Sequence, residues 1–530
     1  MAHLHKILVV GGGTAGWLTA CYLAKALNAA SPEGIQVELV ESPNIGLLGV
    51  GEATFPSIRS TLAAIGLDER RFLAGATATF KQGIRYVNWV RPPGTSGPDH
   101  FFHPFSLPSQ RDGSLELLPY WLLGGAPEGV AFAEAVTMQT HVVDHGRAPK
   151  RAGDPDYQGP LNHAYHFDAA CFARVLAEHG QSLGIKRHLA TVERTELDEQ
   201  GAIARIVTAE LGALSADLYV DCTGLRASLI DGAMQSPFRS RRDVLFVDRA
   251  VALQVPYPNA DTPITPYTTA TAQEAGWIWD IGLRHRRGIG HVYSSRHSDA
   301  ERAEALVRRY VGPAAEGLEA LHIKFETGYR PEHWRKNCVA VGLAGGFVEP
   351  LESTGIALVE LAAYMLTHLL PGDVGDMERT ARRFNEMMVA RYDRIIDFIK
   401  MHYCLSQRRD SAFWIDNADP ASIPATLQDR LALWRHRPPH RLDFIADLEM
   451  FMTASWQYVL YGMEFHTDLE PMRSAYPHMD AARREFAMIR QVADRALADL
   501  PDHRALVEQL CREHEQHRER DAALAVAVGG

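Results

Sequence analysis

The first forty residues alternate between short apolar runs and an Ala/Leu-rich segment. Residues 7–10 form a β-branched run that predicts a buried parallel strand, and the glycines after it lead into a helical pattern that ends near Leu27. Residues 37–40 predict a second strand, which ends at Glu41. A strand, a helix and a second strand in this order are typical of an α/β fold with a parallel sheet.

The later pattern changes from strands to helices. Residues 189–207 predict two strands joined by a turn, residues 218–221 predict a strand, and residues 244–255 alternate like an antiparallel strand. From about Leu358 the pattern stays helical to the end, and residues 479–525 predict a charged, solvated packing helix.

Composition places the chain among ordinary globular proteins. Hydrophobic residues make up 46% and charged residues 22% of the 530 residues, which argues against disorder. The net charge of −11 argues against non-specific binding to nucleic acid, because such binding needs a basic face.

Cysteine usage and apolar stretches bear on the compartment. The six cysteines are isolated and form no C-x-x-C pair, which is typical of thiols in a reducing environment. The N-terminus shows no signal-peptide pattern. The longest apolar stretch, residues 355–370, contains Glu360 and is too short to cross a bilayer. We therefore expect a cytoplasmic protein without a membrane partner, a nucleic-acid partner or a metal site.

A glycine-rich turn of the G-x-G-x-x-G type spans residues 11–16. Gly11 permits a tight turn, Gly13 lets the backbone approach a pyrophosphate, and Gly16 allows a helix to pack closely on a strand. The carboxylate of Glu41 can accept hydrogen bonds from ribose hydroxyls. The motif predicts dinucleotide binding by Gly11, Gly13, Thr14, Ala15, Gly16 and Glu41.

Two later segments bear on which dinucleotide is bound. Residues 217–224 and 341–347 each predict a strand that ends in a small-residue turn with glycine, where backbone can approach a cofactor. Taken alone, either segment is as well explained by ordinary strand–turn glycines. Together with residues 11–16 they resemble the two-dinucleotide-fold flavoproteins, and this resemblance implies FAD rather than NAD.

Four separated motifs follow one another along the chain. They are G-V-G-E-A-T at 49–54, T-F-K at 79–81 with N-W at 88–89, G-W-I-W-D-I at 276–281 and F-V-E-P-L-E-S-T-G at 347–355. These motifs resemble those of the flavin-dependent halogenases, in particular the tryptophan-halogenase branch, over about residues 5–465. The family usually has proline after the W-x-W-x-I motif, whereas this chain has Gly282, which is expected to alter the loop.

The resemblance implies an α/β fold, namely the FAD-binding, two-dinucleotide-binding-domain (Rossmann-like) flavoprotein monooxygenase fold with a mostly helical C-terminal substrate-binding part. We expect an FAD-binding module over residues 1–400, with a substrate-contacting insertion at about 90–160, and a helical module over 401–530 that completes the substrate site. The further implied FAD contacts are Gly49, Ala53, Val192, Gly342, Ala344 and Ser353.

Lys81 lies in an apolar strand, where a lysine is costly to bury without a task or a partner. The residues alone favour a strand-edge lysine that points to water, and they allow Glu352 to cap the helix that follows it. The resemblance implies instead that Lys81 holds or covalently carries hypohalous acid, and that Glu352 faces it as an acid–base partner. Such a pair would keep both groups charged. The backbone amides of Thr354 and Gly355 are implied to bind halide near the flavin.

Aromatic residues are the candidates for substrate binding. The resemblance implies that His103 and Phe105 lie on one side of an aromatic ring and Trp456, with Tyr458, on the other. Loop or core packing explains the same residues when each is taken alone. In the family, two tyrosines and a glutamate bind the amino-acid part of free tryptophan, and this pattern has no clear match here. We therefore consider indole or a larger aromatic compound equally with free tryptophan as the substrate.

Trp277 and Trp279 form the W-x-W pair, for which strand-face packing is the ordinary interpretation. The resemblance implies a screening role, in which the two indoles keep substrate away from the flavin.

The reaction implied by the resemblance uses reduced FAD, O2 and halide. The resemblance implies that hypohalous acid forms from a flavin hydroperoxide and chloride or bromide, travels to Lys81 and halogenates an electron-rich aromatic, which we expect to be an indole or a tryptophan-like compound. A second dinucleotide motif is not visible, which favours a separate NAD(P)H-dependent flavin reductase as partner; a homodimer is a family-level expectation. The alternatives are a flavin-dependent aromatic hydroxylase and a catalytically silent flavin-binding protein.

Overall fold

The computed structural model describes residues 3–44, 46, 51–109 and 115–529, with the side chains described up to residue 521. Its strands are β1 Lys6–Val10, β2 Gln36–Glu41, β3 Glu52–Ala53, β4 Thr79–Lys81, β5 Gly83–Val87, β6 His100–Pro104, β7 Ala164–Phe167, β8 Lys186–Leu189, β9 Val192–Leu197, β10 Ile203–Thr208, β11 Gly212–Leu214, β12 Leu218–Asp221, β13 Arg239–Ser240, β14 Arg249–Pro256, β15 Thr268–Gln273, β16 Gly276–Gly282, β17 Arg286–Tyr293, β18 Leu321–Lys324, β19 Gly328–Tyr329, β20 Trp334–Arg335, β21 Cys338–Ala340 and β22 Gly346–Phe347.

Helices pack against these sheets and form most of the chain after residue 353. They are α1 Thr14–Ala26, α2 Ile58–Ile65, α3 Glu69–Gly75, α4 Leu117–Leu122, α5 Phe132–Val136, α6 Gln139–Asp144, α7 Ala169–Ser182, α8 Ala300–Val311, α9 Thr354–Leu369, α10 Met377–Cys404, α11 Ala412–Ala418, α12 Ala425–Trp434, α13 Thr453–Gly462, α14 Met479–Asp499 and α15 His503–Gly529.

A parallel sheet carries the predicted strand–helix–strand unit. Its order is β20-β21-β12-β1-β2-β8, and the strands from β21 to β8 pair in parallel. β1 lies in the middle of the sheet, and its apolar side chains are completely buried from Ile7 to Val9. Helices α7 and α9 pack against α1 on the sheet. The predicted α/β fold with the Rossmann-like unit at the start is confirmed.

A mixed sheet of order β18-β14-β17-β16-β15-β5-β6, in which only β15 and β5 pair in parallel, carries the W-x-W motif on β16. β14 begins at Arg249, later than the predicted start at residue 244. A turn occupies the start of the predicted strand, because the amides of Val244 and Leu245 both donate to the carbonyl oxygen of Arg241. The chain joins the neighbouring strands only at Asp248, whose amide donates to Tyr293 and whose carbonyl oxygen accepts from Phe325.

A third, small sheet of order β3-β7-β4 joins the two motifs at residues 51–54 and 79–81. β7 lies in the middle and pairs antiparallel with both neighbours, so that Ala53 lies opposite His166 and Lys81 opposite Ala164. Lys81 is the last residue of the edge strand β4. The sheet thus brings Lys81 beside the segment that follows Ala53.

The charged segment at 479–525 forms two helices rather than one. α14 ends at Asp499 and α15 starts at His503, with Pro501 between them, which cannot continue a helix because it lacks an amide hydrogen. In α15 the buried side chains of His503, Leu506, Val507, Leu510 and Cys511 form one face, and residues 515–521 are exposed, as expected of a charged packing helix.

The boundary between two modules at residue 400 stays a prediction. Helix α10 runs across this residue without a break. Across the described residues, none of the helices is both long and apolar enough to cross a membrane.

The first glycine of the dinucleotide motif allows a test of the fold. Gly11 has a φ of +118°, and a Cβ atom there would lie 2.3 Å from the carbonyl oxygen of Cys222. We expect Gly11→Ala to lower the free energy of unfolding by about 1–3 kcal/mol, because both backbone strain and overpacking oppose the methyl group. Thermal denaturation measures the effect, and Gly153→Ala is the matched control because nothing lies within 4 Å of its Cβ position. Equal melting temperatures for both variants would contradict this prediction.

Candidate active site

The side chain of Lys81 is completely enclosed, with 0% of the residue exposed. Its Nζ donates hydrogen bonds to the hydroxyl of Ser353 at 2.7 Å and to the carbonyl oxygen of Thr54 at 3.2 Å. It also lies 5.0 Å from the ring centroid of Phe105. The interpretation of Lys81 as a strand-edge lysine that points to water is therefore wrong.

Glu352 is the second buried charged residue of the site. Its Oε1 accepts three hydrogen bonds, from the hydroxyl of Tyr86 at 2.5 Å, from Nδ1 of His103 at 3.1 Å and from Nε2 of His402 at 2.9 Å. Among the residues that the structure describes, its buried Oε2 has no hydrogen-bond partner. Burial alone would raise the pKa of Glu352, but the two histidines hold it well below its usual range. Glu352 is thus a carboxylate with one saturated and one free oxygen.

Lys81 and Glu352 do not form the close ion pair that was predicted from the sequence. Within the described residues, the ammonium and the carboxylate do not come within 4.0 Å, and Glu352 pairs with His103 and His402 instead. Burial lowers the pKa of Lys81 to about 7, although the charge of Glu352 raises it in part. The pair therefore does not keep the lysine fully charged, because the desolvation of the ammonium outweighs the attraction.

The segment that carries Glu352 is a tight turn before α9. Residues 350–352 form a single 3₁₀ turn, and Ser353 follows with a left-handed φ of +57°. No side chain caps α9, so Glu352 does not have the capping role that its position allowed. The buried hydroxyl of Thr354 has no hydrogen-bond partner in the described part of the chain, and Gly355 is exposed. The first turn of α9, where halide binding is predicted, therefore offers backbone amides without a competing cap.

The turn at residues 11–16 can pack tightly against Glu41 and against itself only because its residues are small. A Cβ atom at Gly12 would lie 1.6 Å from Oε2 of Glu41, and one at Gly16 would lie 1.8 Å from the carbonyl oxygen of Gly11. Gly13 precedes α1 without a side-chain cap, so the first amides of that helix are free to face a pyrophosphate. These features fit a bound dinucleotide.

The other predicted cofactor contacts lie at the ends of strands. Gly342 and Ala344 form the turn after β21, and a Cβ atom at Gly342 would lie 3.0 Å from Cβ of Ala15. The hydroxyl of Thr14 donates to the carbonyl oxygen of Ala169, and Val192 begins β9 in a separate sheet. The predicted contact Gly49 lies outside the described residues.

Glu41 ends β2, as predicted, but it already has protein partners. Its Oε1 forms an ion pair with Arg187 at 2.6 Å, and its Oε2 accepts a hydrogen bond from Nε1 of Trp17 at 3.2 Å. A carboxylate oxygen can accept more than one hydrogen bond, so both contacts orient Glu41 and leave acceptor capacity.

The predicted substrate residues belong to one cluster of aromatic rings. The connected ring pairs are Phe105–Phe55 at 5.9 Å, Phe55–Phe451 at 5.7 Å, Phe451–Phe398 at 3.9 Å and Phe398–Trp456 at 4.8 Å. The ring of His103 lies 6.1 Å from Phe398 and from Tyr458. The indole of Trp456 is completely buried, and the hydroxyl of Tyr458 donates to the carbonyl oxygen of Ser106. The cluster thus reaches from Lys81 to α13.

Two polar groups near this cluster are engaged within the protein. The hydroxyl of Tyr461 shares a hydrogen bond with Thr467, and Glu464 forms an ion pair with Arg91. Tyr461 and Glu464 correspond only roughly to the tyrosine and glutamate groups that bind the amino-acid part of free tryptophan.

Trp277 and Trp279 project from the same face of β16, with ring centroids 6.4 Å apart. Nε1 of Trp277 donates to Oε2 of Glu349 at 2.7 Å, and the hydroxyl of Tyr403 donates to the same oxygen at 2.6 Å. Burial raises the pKa of Glu349 to about 7 against these hydrogen bonds, and its Oε1 has no partner. The structure thus connects the W-x-W motif to the turn that carries Glu352.

Several residues of the site were not predicted. Phe398 and His402 lie on successive turns of α10, and the hydrogen bond from His402 to Glu352 places this helix behind the carboxylate. A histidine on the buried face of a long amphipathic helix is the sequence signal that was available, although it does not identify the partner. The other residues that the prediction missed are Phe55, Tyr86, Glu349, Tyr403 and Phe451.

Comparison with known proteins gives a consistent family. The family model described as tryptophan halogenase matches residues 6–478. Tryptophan 6-halogenase SttH of Streptomyces toxytricini is 37% identical over 519 residues, which cover 94% of this chain and 96% of that protein. Tryptophan 7-halogenase RebH of Lentzea aerocolonigenes is 36% identical over 448 residues, which cover 82% of each chain.

Solved structures agree with this result. A tryptophan halogenase from Shewanella frigidimarina NCIMB 400 has a TM-score of 0.92 and 41% identity, and the match covers 96% of this chain and 98% of that one. BrvH, a flavin-dependent halogenase from Brevundimonas sp. BAL3, has a TM-score of 0.84 and 31% identity, with 96% and 99% covered. The family indicated by the four sequence motifs is confirmed: the chain belongs to the tryptophan-halogenase family of flavin-dependent halogenases.

Proposed function

We propose that this enzyme halogenates an electron-rich aromatic ring of the indole class, and that Lys81 and Glu352 carry out the transfer. The observation that supports this most is the enclosed Nζ of Lys81, which lies next to Phe105 at one end of the aromatic cluster. SttH and RebH act on tryptophan, as their names state, and the aromatic cluster here is suited to the ring of such a substrate.

We propose that residues 11–16, Glu41, Gly342, Ala344 and Ser353 hold FAD, together with the other predicted contacts. Reduced FAD, renewed by a separate NAD(P)H-dependent reductase, supplies the electrons with which O2 and chloride or bromide give hypohalous acid. The amides at Thr354 and Gly355 are the proposed halide site, because the N-terminus of α9 attracts an anion.

Lys81 provides a hydrogen-bond donor for the oxidant. An ammonium group has three N–H donors, and two are used by Ser353 and Thr54. The third binds the oxygen of hypohalous acid and passes a proton to it as the oxygen–halogen bond breaks. The oxygen then leaves as water rather than as hydroxide, and the halogen transfers to the ring carbon that supplies the electron pair.

Glu352 accepts the proton that the ring must lose. Its free Oε2 is the acceptor, since Oε1 is saturated by three donors. The low pKa of Glu352 makes it a weak base, but a ring that has just gained a halogen cation is a strong acid and gives up its proton to a weak base. Aromatic compound and hypohalous acid thus become halogenated aromatic and water, and the two proton transfers cancel.

The aromatic cluster binds the substrate ring by stacking. Phe105 lies beside Lys81, the ring of His103 contacts those of Phe398 and Tyr458, and Phe398 contacts Trp456. The contacts of Tyr461 with Thr467 and of Glu464 with Arg91 orient these two groups, and the aromatic cluster provides the recognition of the ring. Trp277 and Trp279 are proposed to keep the substrate away from the flavin.

Replacement of Lys81 tests this function directly. With reduced FAD, bromide or chloride and indole, the parent enzyme should give halogenated indole, detected by its isotope pattern in mass spectrometry. Lys81→Met should lower the yield by about 10²-fold or more, because the donor to the oxidant is lost. Release of hydrogen peroxide should continue, since FAD is bound elsewhere.

Lys25→Met is the control, because Lys25 is exposed in the last turn of α1. This variant should halogenate like the parent enzyme. A halogenated product from Lys81→Met at the parent's yield, or a hydroxylated product from the parent, would refute the proposed function.

The buried lysine also predicts a pH dependence of stability. The pKa of Lys81 is lowered from 10.5 to about 7 in the folded state, so the unfolded chain binds more protons between these values. The lysine therefore costs stability, most at low pH, and this cost declines as the pH rises from about 7 towards 10.5. Lys81→Met should be stabilising, and by more at about pH 6.5 than at about pH 9, with a difference on the order of 2 kcal/mol.

Urea denaturation of the parent and the variant at both pH values measures this difference. Lys25→Met serves again as the control, because an exposed side chain should give the same small effect at either pH. A stability gain for Lys81→Met that grows with pH would contradict the prediction.

A further inference from the structure

The last two helices lie beyond residues 6–478, the part that the family model matches. The N-terminus of α15 nevertheless reaches the strand that carries Lys81. His503, its first residue, is 1% exposed, and its ring lies 6.0 Å from that of Phe80. His503 thus lies next to β4.

β4 has one edge without a neighbouring strand in the described part of the chain. β7 covers the other edge, with Lys81 opposite Ala164. Backbone N–H groups along a strand point alternately to its two edges, and an edge amide buried without a partner is costly. The amide of Phe80 points to the open edge, where it donates a hydrogen bond to Nε2 of His503 at 3.1 Å.

The second ring nitrogen of His503 is also used. Nδ1 lies 2.9 Å from the carbonyl oxygen of Ile264, which can only accept, so Nδ1 carries the proton and Nε2 is free to accept from Phe80. The amide of Gln82 donates to the carbonyl oxygen of Pro266 at 2.8 Å. The imidazole thus fills the gap between β4 and residues 264–266, where a further strand would otherwise supply the bond.

Backbone contacts fix the position of His503. Its own amide donates to the carbonyl oxygen of Gly146 at 2.9 Å, and the amide of Ala148 donates to that of Pro501 at 2.9 Å. Arg504 donates from Nε to the carbonyl oxygen of Thr262. The start of α15 is therefore held from several sides, so a displacement of His503 is resisted.

We propose that His503 is a positioning residue for Lys81, through the hydrogen bond that it accepts from the amide of Phe80. The neighbouring residue on β4 is Lys81, whose Nζ must stay within hydrogen-bond distance of both Ser353 and Thr54. Release of the open edge lets β4 move, and small displacements of a reacting group reduce catalysis strongly. This inference rests on the proposed role of Lys81.

The protonation of His503 suits this task. Burial lowers its pKa to about 4, against the bond to Ile264 that raises it, so the ring stays neutral and keeps its acceptor. The charged or titratable groups that influence His503 or share its surroundings are Asp502, Arg504, His166 and Lys81, and the pKa of His166 is held well below its usual value by burial, by Lys81 and by His503.

Two substitutions of His503 separate positioning from packing. His503→Leu keeps a side chain of similar bulk but removes both polar atoms, whereas His503→Gln retains an acceptor and a donor. We expect His503→Leu to lower the halogenated product formed per O2 consumed by at least about threefold, at an unchanged KM for indole, because β4 is no longer fixed. His503→Gln should restore at least half of the parent's yield.

Val507→Ala is the control for packing, since Val507 is buried on the same helix and has no side-chain hydrogen bond to β4. It should lower the melting temperature without lowering the product formed per O2. Equal loss of yield in Val507→Ala and His503→Leu at equal loss of stability would overturn the inference, and so would a parental yield in His503→Leu.

Hydrogen exchange provides a measurement that needs neither cofactor nor turnover. Mass spectrometry of peptides covering residues 79–83 should show faster exchange in His503→Leu than in the parent, and protection should return in His503→Gln. Unchanged protection in His503→Leu would overturn the inference. Failure of the parent enzyme to halogenate any indole would instead refute the proposed function, while hydrogen exchange still decides whether His503 fixes β4.

Discussion

The site depends on the exclusion of water from one lysine side chain. Lys81 has neutral acceptors as its hydrogen-bond partners, and the nearest carboxylate is too far away to form an ion pair with it. Desolvation then lowers the pKa of Lys81 to about 7, so the charged and the neutral form have similar free energies near neutral pH. An ammonium group in this state gives up a proton readily, and the proposed transfer of halogen at Lys81 would take place away from bulk water.

Two carboxyl groups in a single turn have opposite protonation behaviour. Glu349 faces the neutral donors of Trp277 and Tyr403, and burial raises its pKa to about 7. Glu352, three residues later, faces His103 and His402 and has a strongly lowered pKa. Environments that separate the pKa values of neighbouring acids assign them different tasks. The turn therefore places a carboxyl group that can be neutral beside Trp277 and a carboxylate beside His103 and His402.

Local sequence signals predicted the parts of the molecule that local chemistry determines. The β-branched run before Gly11 and the glycines after it predict the first strand, turn and helix, because each needs particular residue types at fixed spacing. Lys81 and Glu352 were identified through motifs rather than through geometry. The hydrogen bonds of Glu352 were not predictable, because Tyr86, His103 and His402 come from three distant segments and no local pattern records which of them meet.

The bond between Phe80 and His503 joins residues 423 positions apart in the chain. During synthesis the N-terminal part of a protein emerges and begins to fold first. The strand that carries Lys81 is therefore synthesised long before the residue that completes its open edge. Closing a loop of this length costs conformational entropy, which the contacts that hold the start of α15 must offset.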